Sequence, residues 1–172
     1  MIQQVVEHLG ALPKSFVTVM IAMLPIVELR GAIPWALTAG GFGWKEAYLY
    51  AVLGNFIPVI PLLLLLEPFS CGLRRYRPFD SFFTWLFERT RRRSGIVEKY
   101  EALGLALFVG IPLPVTGAWT GTVAAFIFGI RLRFAVMAII TGILLAGVIV
   151  TLASLGLLGA ISRFLIATQT GT

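Results

Sequence analysis

The chain is short of the residues that build catalytic and metal-binding sites. Among its 172 residues are one cysteine, Cys71, and one histidine, His8. A lone cysteine excludes an intramolecular disulfide and a thiolate metal cluster. His8 lies outside the apolar segments, where a solvated or interfacial imidazole is the ordinary role. No histidine stands near a serine or cysteine, no pair of carboxylates lies within the apolar segments, and no GxxxxGK phosphate loop occurs. The expectation is a protein that is not an enzyme and uses no cofactor or metal. The N-terminus also lacks the basic start and cleavage site of a signal peptide, so the chain is expected to be used whole.

Charge is scarce as well. Charged residues make up 13% of the chain, against about a quarter in a soluble domain. Hydrophobic residues make up 58%, and the mean hydropathy is +0.92. The apolar runs at 47–66 and 134–158 are long enough to cross a bilayer, which takes about 20 residues. This composition excludes a soluble enzyme core and predicts an all-α integral membrane protein of one domain, 1–172.

The few charges are unevenly placed. Net charge is +6, and eight of the fourteen lysines and arginines fall between Arg74 and Lys99. Arg131 and Arg133 stand at the foot of the second long apolar run. Basic loops stay in the cytoplasm, so the segment 67–101 is expected on the cytoplasmic side of a plasma or inner membrane. Aromatic residues are interleaved with polar ones there, as in an amphipathic segment resting on anionic headgroups. Arg91, Arg92 and Arg93 read as an orientation and lipid-surface cluster. No nucleic acid is expected as a partner. Met1 to Leu12 has helical apolar spacing and predicts an interfacial helix ended by Pro13.

Between Ser15 and Gly43 the only charged side chains are Glu28 and Arg30, bracketed by Pro25 and Pro34 and followed by Gly31. A charge in hydrocarbon costs about 2.5–3.5 kcal/mol on insertion scales and marks a functional site by default. Phe16 to Leu24 is an apolar stretch too short to cross a bilayer, and Ala32 to Thr38 is a second. The pattern predicts a re-entrant hairpin broken over Pro25–Pro34, with a single kinked span as the alternative. Ala102 to Phe128 repeats the pattern without charge: Leu103 to Gly110, a break over Pro112, Pro114, Thr116 and Gly117, then Ala118 to Phe128. Ile161 to Ala167 reads as a separate interfacial end.

The two halves align without a gap. A shift of 86 positions superposes Gly31 on Gly117, Ala32 on Ala118, Gly43 on Gly129, Lys45 on Arg131 and the mid-span Asn55 on Thr141. Each unit, about 15–66 and about 102–158, is then a re-entrant broken-helix hairpin plus one full transmembrane helix. One crossing per unit inverts the second relative to the first, an arrangement many secondary transporters use. If the basic linker is cytoplasmic, both termini lie outside.

Half-helices starting near Gly31 and Gly117 would aim free N–H groups at the breaks, and helix N-termini favour anions. Arg30 adds a planar fork of donors suited to phosphate or carboxylate. A desolvated Glu28 is a candidate proton acceptor. Thr116, Trp119 and Thr120 would line the opposite wall, and Asn55 is either a site-lining donor or an interhelical hydrogen bond. The alternative for Glu28 and Arg30 is a structural ion pair holding the hairpin tip.

The run Glu28-Leu-Arg-Gly-Ala-Ile-Pro34, the pair Gly54-Asn55 and the run Ile111-Pro-Leu-Pro-Val-Thr-Gly-Ala-Trp-Thr-Gly121 resemble the small multidrug export family of prokaryotes. The resemblance covers roughly Phe16 to Leu158. It implies a compact relative of the DedA/VTT superfamily, whose members are described as carrying paired re-entrant hairpins in inverted repeat. It also implies transport of lipid-linked phosphates or phospholipids with proton coupling. On the matching positions, the first motif places the acid at Glu28 and the base at Arg30, and the second places the break at Pro112, Pro114 and Gly117. The second hairpin here has no arginine before Arg131, a departure from DedA proteins.

Together these readings lead to one expectation: a multi-pass transporter for an anionic, lipid-linked substrate, proton-coupled at Glu28, in contact with membrane lipids and paired as a homodimer. The rivals are an exporter of small cationic drugs, with Glu28 as counter-charge, and a non-transporting membrane scaffold.

Overall fold

The computed structural model describes residues 12–73, 95–113 and 116–170, with side chains placed over 12–66, 100–113 and 116–163. The expected N-terminal interfacial helix, most of the basic linker and Pro114 lie outside the described residues. Those described form helices and no strand: α1 (Lys14–Met23), α2 (Glu28–Leu37), α3 (Trp44–Phe56), α4 (Val59–Leu73), α5 (Gly95–Gly110), α6 (Ala118–Ile127) and α7 (Leu132–Thr170).

The helix ends follow from local chemistry. α1 stops because Pro25 pushes the residue before it out of the helical region: Leu24 has φ −70° and ψ 132°. α2 opens on Glu28, whose φ is +45°. After α2 the chain turns through Gly40 and Phe42, whose N–H groups donate to Trp35 O (2.9 Å) and Ala36 O (3.0 Å). α3 then begins with the Gly43 N–H donating to the Glu46 carboxylate at 3.2 Å. α3 and α4 together make one apolar crossing, Trp44–Leu66, stepped at Ile57 and Pro58. The second, Leu132–Arg163, is unbroken.

Three expected boundaries are corrected. The first break is shorter than Pro25–Pro34: it occupies 24–27, and Pro34 lies inside α2. Proline is tolerated in a membrane helix when neighbours cover the freed backbone groups. The arm expected from Leu103 begins at Gly95. The separate interfacial end at Ile161–Ala167 is continuous with α7. Gly156 and Gly159 weaken a helix by about 1 kcal/mol each, but no proline stands there. In hydrocarbon the backbone must keep its own hydrogen bonds.

The packing is repeated in the two halves. α1 packs on α2 and α3, and α5 packs on α6 and α7. Across the halves α2 packs on α7, and α6 packs on α4. Glycine permits the close approach in each half. A Cβ at Gly54 would lie 2.8 Å from Ala22 Cβ of α1, and one at Gly142 would lie 2.8 Å from Val109 Cγ1 of α5. The buried interior is rich in alanine, with Ala22, Ala32, Ala51, Ala118, Ala125 and Ala138. Large apolar residues such as Phe16, Met20, Leu53, Leu65, Met137 and Leu152 face outward. Small residues inside and large apolar ones outside suit helices that associate in lipid, where close contact rather than water exclusion holds them. The core places the two breaks against each other.

Candidate functional site at the meeting of the breaks

Glu28 is 6% exposed and begins α2 in a left-handed backbone conformation. That conformation costs a non-glycine residue about 1–2 kcal/mol. A glycine would hold it without strain, so the reason for a glutamate here lies in its side chain. The carboxylate crosses to the other half. One oxygen accepts the Trp119 N–H at 3.3 Å, and the Ala118 N–H lies beside the carboxylate. Ala118 and Trp119 are the first two residues of α6, so Glu28 sits on that helix's N-terminus, where free N–H groups and the helix dipole favour negative charge. Gly117, just before α6, makes room: a Cβ there would fall 2.6 Å from the Glu28 carboxyl carbon.

Arg30 also directs its charge across the interface. Its guanidinium donates to the Thr116 carbonyl oxygen and lies 3.5 Å from Thr116 Oγ1. Thr116 in turn holds the second break together. Its hydroxyl lies 2.8 Å from Ile111 O and 2.9 Å from Leu113 O, and accepts the Leu113 N–H at 3.1 Å. A third link runs the other way: the Trp119 indole N–H donates to the Met23 carbonyl at 3.2 Å, satisfying an acceptor at the end of α1. Among the described residues no direct ion pair joins Glu28 to Arg30. This fits their spacing, since side chains two apart on a helix do not face one another. Arg30 and Thr116 are separated by 86 positions, the same shift that superposes the halves. Matched residues that touch lie where the two halves meet.

Behind these contacts is a small cavity lined by Glu28, Arg30, Asn55, Pro112 and Gly117, with Val109, Ile143 and Val150 at the back. Its volume is about 10 Å³, room for roughly one water molecule. Asn55, 1% exposed, contributes an Oδ1 that has no hydrogen-bond partner.

The structure therefore brings together seven of the expected site residues: Glu28, Arg30, Asn55, Pro112, Thr116, Gly117 and Trp119. Three stand apart. Gly31 packs against Val27 and Ile21 inside the first helix pair. Pro34 lies in α2 and does not line the cavity. The Thr120 hydroxyl donates to Gly117 O within its own turn at 3.3 Å. Thr141, matched to Asn55 by the repeat, is exposed and bonds Met137 O of its own helix at 2.8 Å. α2 starts at Glu28 rather than near Gly31, and the first residues of both α2 and α6 line the cavity. Sequence reasoning missed Val109, Ile143 and Val150, because an apolar residue inside an apolar helix carries no distinguishing signal.

A family model described as small multi-drug export protein matches residues 28–149. That is more than half of the chain. The chain belongs to this family. The match begins at Glu28 and encloses Arg30, Asn55 and the whole second break. No curated protein and no solved structure matches the chain. With two helices long and apolar enough to span a bilayer and a family described by export, this is a membrane protein with a transport role.

Proposed function

We propose that the protein is a membrane transporter for an anionic, lipid-linked substrate and couples its movement to a proton on Glu28. The observation that carries this reading is the Glu28 carboxylate seated on the N-terminus of α6 beside the Arg30 guanidinium. Oriented N–H groups and an arginine fork are what a phosphate oxygen needs. In this arrangement the chain's own carboxylate fills the place. A substrate anion entering the same N–H groups displaces Glu28, and the displaced carboxylate takes up a proton. Anion and proton then occupy the site together, which is the requirement for coupling them.

A cavity of about 10 Å³ is too small for a phosphate, so the two breaks part during transport. The lipid-linked class is supported by a second feature. α5 lines the site with Val109 and lines a largely apolar, open cleft of about 490 Å³ with Leu105 and Phe108, with Glu101 at one end and Ala124 and Phe128 facing them. In the architecture this reading requires, both helix pairs are re-entrant hairpins in inverted repeat, the basic linker is cytoplasmic, and the thin bundle pairs as a homodimer. It also requires no enzymatic activity.

The family's description favours a second reading, export of small cationic drugs with Glu28 as the counter-charge. Thermal stability of the purified protein in detergent separates the two. A ligand that binds the folded state raises the melting temperature. Polyprenyl phosphate, an anionic phospholipid and a cationic dye are each added to wild type and to Arg30→Ala. Stabilisation by polyprenyl phosphate that is lost in Arg30→Ala is expected. Stabilisation by the dye alone, unchanged in Arg30→Ala, replaces this reading with drug export.

A further inference from the structure

Asn55 is 1% exposed and lines a cavity together with Glu28, and its Oδ1 is an acceptor with no donor. A buried unpaired carbonyl costs free energy and calls for a partner. The partner is not an anion, because the oxygen's lone pairs repel one. A metal cation is disfavoured as well, because the Arg30 guanidinium lines the same cavity. What remains is a hydrogen-bond donor small enough for a space of about 10 Å³.

Glu28 becomes such a donor when it is protonated. As a carboxylate it only accepts, and the α6 amides supply what it accepts. A proton on one oxygen forms an O–H bond, removes the charge that those amides hold and leaves one hydrogen to donate. We propose that Asn55 is the second half of the proton site: protonated Glu28 donates its hydroxyl to Asn55 Oδ1, directly or through one water, for which the cavity has room. The ionised acid is then kept by α6 and the protonated acid by α3. This inference rests on the proton-coupled reading of Glu28 given above.

The surroundings leave few competitors. Among the described residues the charged neighbour of Glu28 is Arg30 of α2, whose Nη2 donates to Thr116. α5 presents Val109 to the cavity and α7 presents Ile143 and Val150, none of them titratable. α1 offers the Met23 carbonyl, which already accepts the Trp119 indole. Asn55 is thus a positioning residue for the proton.

Asn55 is the single asparagine in the chain, so asparagine labelled with ¹³C at its side-chain carbonyl marks this one site in the unmutated protein. Infrared difference spectra of the full chain in lipid nanodiscs are recorded across a pH series. The protonated Glu28 carboxyl gives a C=O band, assigned by its loss in Glu28→Gln. The expected result is that the labelled Asn55 carbonyl band shifts to lower frequency with the same pH midpoint at which the Glu28 band appears. In Asn55→Leu the Glu28 band is expected to move to higher frequency, as for a carboxyl without an acceptor, while Thr141→Val leaves it in place. A Glu28 band that titrates while the Asn55 label stays silent overturns this inference and leaves proton coupling standing. No Glu28 band at any pH overturns both.

Discussion

The first break, residues 24–27, is followed at once by a carboxylate and a guanidinium; the second, residues 111–117, carries no charge. The two helix pairs pack alike on their spans and on the opposite half, yet their contributions to the site differ in kind. The first pair supplies full charges on side chains. The second supplies dipoles: the α6 amides that hold Glu28, the Thr116 carbonyl that holds Arg30, and the Trp119 indole that closes the end of α1. A charge buried in hydrocarbon is tolerable when oriented dipoles surround it. Each break keeps bonds within its own half, and the charges of the first and the dipoles of the second satisfy each other across the interface. The lesson is that a repeat of backbone plan can diverge in chemistry and gain a site by doing so.

This complementarity can be broken from either side. The largest combined effect on stability and transport is expected from Gly117→Val, which drives a side chain into the Glu28 carboxylate. Overpacking costs about 1–3 kcal/mol, and a lowered melting temperature together with lost transport in proteoliposomes is the expected outcome. Arg30→Ala strips the donor from the Thr116 carbonyl, with an expected cost of about 1.5–3 kcal/mol for a bond to a charged group. Arg30→Lys keeps a charge without the planar fork, so it should restore part of the stability and little of the stabilisation by polyprenyl phosphate. Glu28→Gln keeps an oxygen for the Trp119 N–H and removes the charge. Its expected stability loss is about 1 kcal/mol, with transport abolished, so a folded and inactive protein is the outcome that sharpens the comparison. The smallest effect belongs to a contact outside the breaks. The Tyr48 hydroxyl donates to Leu144 O at 3.2 Å, joining α3 to α7. Tyr48→Phe should cost about 0.6 kcal/mol, the average for interhelical bonds in membranes, and leave transport unchanged.

Much of the plan was legible because hydrocarbon makes exceptions conspicuous. Glu28 and Arg30 stood out as charges in an apolar stretch, and Pro25 and Pro112 as breaks in runs too short to span. Pro34 misled for the same reason, since a proline reads as a stop even where neighbouring helices absorb it. Gly117 was visible as a break residue. Its actual constraint, the nearness of Glu28, is a tertiary contact that spacing does not encode. Asn55 was visible as a polar residue and was read as a donor or an interhelical bond. Its place on the cavity wall depends on how α3 is rotated, and that is set by its packing on α1, α2 and α7. The repeat matched Asn55 to Thr141, but the α7 face that meets the site carries Ile143 and Val150 instead.

The central claim is that a substrate anion and ionised Glu28 compete for the same amides. Calorimetric titration of polyprenyl phosphate into the detergent-solubilised protein, repeated in two buffers of different ionisation enthalpy, counts the protons that move on binding. Uptake of about one proton per substrate bound is expected in wild type, by linkage of binding to protonation, and none in Glu28→Gln. Binding of the same ligand to wild type with no proton uptake would contradict it.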